Sequence, residues 1–158
     1  MEDNWHKIFM RMAIIFSEGS KCLRKKVAAI IVKDGRILST GLNGTVPGAE
    51  NCCEYFKDSD VYSKKFYKEH GEWSENNAIH AEQGAISFAA KNGVSTQNCD
   101  IYLTLSPCLS CSKLLITAGI KRVFYLEEYD RDNRGLEFLK KNKIEIKQIN
   151  LKEGELNE

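Results

Sequence analysis

A chain of 158 residues, 42% of them hydrophobic, can bury a core without disulfide staples and is expected to form one catalytic domain over 1–158. Its 23 basic and 22 acidic residues leave a net charge of +1. That excludes a whole-molecule field able to gather a nucleic-acid polymer or an anionic membrane, and it favours a small substrate. The apolar patch at 12–16 is flanked by Lys7, Arg11 and Glu18, is too short to span a bilayer and precedes no small-residue cleavage site, so a cytoplasmic location is expected. In that reducing compartment Cys22, Cys52, Cys53, Cys99, Cys108 and Cys111 read as metal ligands or buried thiols rather than disulfide partners.

Taken in chain order, Trp5, Ile8, Phe9, Met12, Ile15 and Phe16 recur at three- and four-residue steps. They predict an amphipathic helix ending near Gly19, its apolar face on a sheet. The β-branched run 27–32, the turn Lys33-Asp34-Gly35 and the return over 36–40 predict an antiparallel hairpin. Over 44–77 the pattern is lost among Pro47, Gly48, Gly71 and many charges, which marks a functional insertion, partly helical. Beyond it the chain alternates: helix 79–91, strand 101–105, helix 108–118, strand 122–126, helix 135–141, strand 144–149. Such alternation implies parallel strands with right-handed crossovers. The fold class is therefore α/β, a three-layer α/β/α sandwich with a mixed five-stranded sheet, and the charged tail 152–158 is expected to fray.

The residues that carry chemistry are His80-Ala81-Glu82 at one helix start and Pro107-Cys108-Leu109-Ser110-Cys111 at the next. One imidazole and two thiolates make three zinc ligands and leave the fourth tetrahedral position for water, the mark of a catalytic rather than a structural site. The partial positive charge of a helix N-terminus is expected to lower the pKa of both Cys108 and Cys111. Zinc brings the pKa of bound water to about 7, which provides a nucleophile for an electrophilic ring carbon. Glu82, two residues past a ligand, is placed to carry a proton to the ring nitrogen and then to the departing ammonia. His-x-Glu followed by Pro-Cys-x-x-Cys is the signature of zinc deaminases that act on nucleobases. The competing readings of the same residues are a structural zinc knuckle and a redox Cys-x-x-Cys pair.

At these residues the sequence resembles the cytidine deaminase superfamily, and over nearly its whole length the deoxycytidylate (dCMP) deaminases, phage-type members most of all. The matching stretches are Ser20-Lys21-Cys22, Gly41-Leu42-Asn43-Gly44, Asn51-Cys52-Cys53, Glu72-Trp73-Ser74, His80-Ala81-Glu82, Leu105-Ser106-Pro107-Cys108 and Ala118-Gly119-Ile120-Lys121. The resemblance implies an α/β/α hexamer that converts dCMP to dUMP for thymidylate synthesis in a bacterial or phage-infected cell. It also implies activation by dCTP and inhibition by dTTP, with Mg2+ accompanying a triphosphate effector. It assigns Asn43 to the sugar and base, Ala81 and Ser106 to the ring and its amino group, Tyr129 to the phosphate, and Asn43 with Gly44 to the effector. Ser20, Lys21 and Arg24 belong to a small basic cluster suited to phosphate.

By the same resemblance Cys22, Cys52 and His70 would hold a second, structural zinc, with Cys53 as candidate fourth ligand. Bound metal would order a stretch whose composition cannot order itself. Two departures, Leu42 for a tyrosine and Gly84 for an asparagine, fall near the expected nucleotide sites and bear on regulation; Phe88 and Lys91 fall where relatives make subunit contacts. The alternatives are a deaminase of dCTP, of a C5-modified dCMP, of a free cytosine nucleoside or of adenosine in tRNA. From another class, the chain would be an inactive zinc-stabilised nucleotide-binding module, which would not need Glu82.

Overall fold

Helix α1 (Glu2–Ser17) forms where the sequence predicts it, but its sheet-facing side differs from the expected one. Residues 2–155 are described in this computed structural model, and there His6, Phe9, Met10 and Ala13 are buried against the sheet. Trp5, Met12, Ile15 and Phe16 stay exposed, at 53%, 42%, 64% and 38% of their surface. A helix offers several stripes at 3.6-residue spacing, and a histidine hides the buried one from a hydrophobicity count. His6 is accommodated because its Nδ1 lies 2.7 Å from the Tyr102 hydroxyl and its ring stacks on Phe124 at 4.3 Å.

The hairpin follows as β1 (Ala28–Lys33) and β2 (Arg36–Leu42). Asp34 and Gly35 join them, both at positive φ (50° and 71°), the conformation that a two-residue hairpin turn demands. β3 (Asp100–Leu105) runs antiparallel to β1 and parallel to β4 (Arg122–Glu127), and β5 (Glu145–Gln148) continues the parallel set. The resulting order is β2-β1-β3-β4-β5, the expected mixed five-stranded sheet. One face carries Ile30, Val32, Tyr102 and Phe124 toward α1. The other presents Ala29, Ile31, Ile101, Leu103 and Val123 to α4 (Ala81–Lys91), α5 (Leu109–Thr117) and α6 (Arg134–Lys141). Burial on both faces explains why β1 reads as a continuous apolar run.

The connection over 44–77 is better ordered than its composition suggests. It contains α2 (Cys52–Tyr55) and α3 (Lys64–Asn77), and a backbone bridge between Gly44 and Ile79 closes it. Cys52, Phe56 and Phe66, with Cys22, Val61 and Trp73 beside them, give it an apolar nucleus of its own. The C-terminal tail does not fray over 152–155. A 3-10 turn at Glu153–Glu155 brings Glu155 within 2.8 Å of Lys7 Nζ, while 156–158 lie outside the described residues. Among the described residues no helix is long and apolar enough to cross a membrane.

Candidate metal centre and its cavity

Two helix starts build the centre, and a glycine lets each be approached by backbone. A Cβ on Gly41 of β2 would collide with the Ala81 carbonyl oxygen and the Ala85 nitrogen. The strand therefore presses directly on the first turn of α4. A Cβ on Gly135 of α6 would collide with the Pro107 carbonyl oxygen, fixing the backbone that carries Cys108. His80 and Cys108 lie just outside their helices as N-caps rather than within them as expected. Gln83 Oε1 accepts from the His80 N–H at 2.8 Å, and Cys108 Sγ accepts from the Cys111 N–H at 3.5 Å. Capping thus aims both donors at the space between the helices.

There His80 Nδ1 lies 3.6 Å from Cys108 Sγ and 3.4 Å from Cys111 Sγ. A tetrahedral zinc with bonds of about 2.3 Å to sulfur and 2.0–2.1 Å to nitrogen sets that separation at about 3.5 Å, so the donor set fits the ion. His80 is exposed, Cys108 half-buried and Cys111 buried, which leaves the exposed side as the way in. The thiols do not shift together as expected. Cys108 is pulled down to about 4, first by the hydrogen bond from Cys111, whereas Cys111 is pushed up by that same bond and by burial. Burial pushes the Glu82 carboxyl up to about 7, against the pull of its own backbone N–H and of His80. At 4% exposure, the Glu82 carboxyl is shielded from bulk water.

The cavity beside this centre has a volume of about 530 Å³. Asn43, Gly44, Ala81, Ser106, Tyr129, Lys21 and Arg24 all line it. Ser20 does not. It is 4% exposed, and its hydroxyl is spent on Asn43, 2.6 Å from Oδ1 and 3.0 Å from the backbone carbonyl oxygen. It braces the wall instead of binding an anion. Ser106 is likewise committed, accepting from the Tyr129 N–H at 2.7 Å and so holding the loop that bears the tyrosine. Neither Leu42 nor Gly84 reaches the cavity; a Cβ on Gly84 would lie 3.5 Å from the Gly41 Cα, between α4 and β2. Tyr67, Trp73, Ser74 and Arg131 line the cavity unanticipated. Tyr67, His70 and Ser74 stand at i, i+3 and i+7, a spacing that points to one face once α3 is recognised.

The second expected donor set also comes together: Cys22 Sγ lies 3.5 Å from His70 Nε2, and these two atoms and Cys52 Sγ all lie within 4.8 Å of one another. The spacing suits the same ion. Cys53 does not join them, which removes it as fourth ligand among the described residues. Burial raises the Cys52 thiol to about 11 and lowers the His70 imidazole below its ordinary value. His70 is 5% exposed, and its Nδ1 has no hydrogen-bond partner among the described residues.

Residues 3–127 match the family model of the cytidine and deoxycytidylate deaminase zinc-binding region. The deoxycytidylate deaminase of Enterobacteria phage T4 is 38% identical, over 84% of this chain and 83% of the phage protein. Among solved structures, the dCMP deaminase of the cyanophage S-TIM5 in complex with dCMP and dUMP is 37% identical, with a TM-score of 0.72 over 89% of this chain and 93% of that one. Its apo form matches with a TM-score of 0.70 at 34% identity, over 90% and 95% of the two chains. Because the matched region takes in both helix starts and all three donors at their convergence, this chain belongs to the zinc-binding family of cytidine and deoxycytidylate deaminases.

Proposed function

We propose that the protein catalyses the hydrolytic deamination of dCMP, taking up water and releasing dUMP and ammonia. The observation that carries this reading is the buried Glu82 carboxyl beside three zinc-competent donors, in a cavity that Lys21 and Arg24 also line. Zinc, when bound by His80, Cys108 and Cys111, supplies at neutral pH a water acidic enough to act as nucleophile.

Everything else falls to side chains and backbone of the chain. Glu82 takes one proton from the attacking water and delivers it to ring N3 as the oxygen bonds to C4. It then takes the second from the resulting hydroxyl and hands it to the amino group as the C4–N bond breaks and ammonia leaves. The backbone at Ala81 and Ser106 brackets the ring and its amino group, and Asn43 donates to the sugar or base. Lys21, Arg24 and Tyr129 hold the 5′-phosphate, where charge-assisted hydrogen bonds are the strong ones.

The same reading includes a structural zinc at Cys22, Cys52 and His70, and control by dCTP as activator and dTTP as inhibitor, with Mg2+ on the triphosphate. A second recess, lined by Lys21, Thr45, Pro47, Gly48 and Asn51, adjoins the first through Lys21 and Asn51 and supports an effector subsite. The exposed apolar side chains of α1 and Phe88 of α4 support a homo-oligomer, six copies by analogy with the family.

Ammonia release from dCMP, dCTP, 5-hydroxymethyl-dCMP, deoxycytidine and a tRNA stem-loop, on a preparation whose mass is read by light scattering, tests the reading. We expect the highest kcat/KM for dCMP. Preference for the unphosphorylated nucleoside would overturn the phosphate assignments.

A further inference from the structure

The segment between α1 and β1 has no regular structure, yet it delivers Lys21, Arg24 and Lys25 to the cavity. Its conformation is imposed from outside, on two sides. From the sheet, the Asn43 side chain accepts from Ser20 Oγ at 2.6 Å and from the Val27 N–H at 2.8 Å, and donates to the Lys25 carbonyl at 2.7 Å. From the connection over 44–77, the Leu23 N–H donates to Cys52 Sγ at 3.4 Å, and Cys22 Sγ meets His70 Nε2.

Arg24 belongs to the same arrangement. Its guanidinium stands 5.0 Å over the Tyr67 ring, and Tyr67 lies three residues before His70 on α3. Cys22 and Arg24, two residues apart, therefore engage two successive positions of one helix face. Lys25 is paired with Glu127. Lys21 and Arg24 remain as the cations of the segment that line the cavity without a carboxylate partner in an ion pair among the described residues.

We propose that a metal ion on Cys22, Cys52 and His70 sets the affinity of the cavity for the phosphate of its ligand, by holding Lys21 and Arg24 against it. The three ligands act as positioning residues for the anion and take no part in the chemistry at the ring. The inference rests on the nucleotide reading above and deepens it. An irregular segment left free must be ordered by the arriving ligand, which weakens binding; one already cross-linked by metal is ordered in advance. A group on the ring side, contacting Ala81 and Glu82 on α4, does not depend on that ordering.

The test compares dUMP with deoxyuridine, which differ only by the phosphate, by calorimetric titration of the zinc-loaded protein, with zinc per chain measured on each preparation. For the wild type we expect two zinc ions per chain. For Cys22→Ser we expect one zinc, dUMP affinity lower by about tenfold or more, the scale of one lost charge-assisted contact, and deoxyuridine affinity within about twofold. Tyr67→Leu leaves the cluster intact and covers the case in which Cys22→Ser does not fold. It should keep both zinc ions and weaken dUMP by roughly threefold to tenfold, with deoxyuridine unaffected.

A wild type with a single zinc, a Cys22→Ser protein that retains two, unchanged dUMP affinity after zinc loss, or equal weakening of both ligands would each overturn the proposal. A wild type that binds dUMP tightly and deaminates dCMP while the variants fail to discriminate loses only this inference. One that binds neither ligand and releases no ammonia loses the nucleotide reading as well.

Discussion

The protein holds two donor sets of the same composition, one histidine and two cysteines, and members of both line the same cavity. Around His80, Cys108 and Cys111 the donors cap two helices, the histidine is exposed, and a buried carboxyl stands two residues away. Around Cys22, Cys52 and His70 the histidine is buried among Phe56, Phe66 and Trp73, and among the described residues no carboxylate joins the group. Ligand identity therefore does not separate a catalytic from a structural site. On the reading proposed above, access and a proton carrier do, and among the described residues only the first set has an exposed histidine with a buried carboxyl two residues away.

Removing the carrier is the strongest way to break that contrast. Glu82→Gln should keep both metals and the fold while kcat falls at least roughly a hundredfold, because the amide cannot exchange the proton. Near-normal turnover with full metal content would make the two sets equivalent and end the distinction. A smaller effect should follow from disturbing one set at a distance. Gly135→Ala forces a methyl group into the Pro107 carbonyl, a strain of about 1–3 kcal/mol. It should lower zinc retention at the Cys108 centre and leave the Cys22 centre loaded, measured as metal per chain during stepwise chelation; equal loss from both would deny their independence.

The smallest effect concerns the approach to α6. Asp132 accepts from the Arg134 N–H at 3.0 Å and from its guanidinium at 2.8–3.1 Å, which holds its carboxyl down at about 2 from an ordinary 3.8. A carboxyl lowered by folding stabilises the fold above its unfolded pKa, and that contribution fades as pH falls through the folded value. The thermal midpoints of wild type and Asp132→Asn should thus differ slightly at neutral pH and converge between 3.8 and about 2. A difference that persists at the acid end would remove the ion pair as its cause.

The catalytic set was legible in the sequence because each half is local: His80 and Glu82 are separated by one residue, and Cys108 and Cys111 by two. The strand alternation was legible for the same reason, apart from helix starts that prove to be caps. What stayed hidden depends on distant partners. The buried stripe of α1 includes His6, whose acceptability rests on Tyr102, 96 residues away. Ser20 looks like a phosphate ligand beside Lys21 until Asn43 is found against it, 23 residues on. Cys53 is adjacent to a donor in sequence but turned away from it by α2, which four residues of sequence pattern do not reveal.

The amide of Asn43 has a consequence for what the cavity will admit. Its oxygen already accepts hydrogen bonds from the Ser20 hydroxyl and the Val27 N–H, and one of its two amide N–H groups is spent on the Lys25 carbonyl. A single hydrogen remains to greet a guest, so this side chain can meet only a lone pair. On the nucleotide reading proposed above, a sugar or base that brought an N–H to Asn43 in place of a bare oxygen would arrive hydrogen to hydrogen, and the mismatch would be turned away without any steric obstacle.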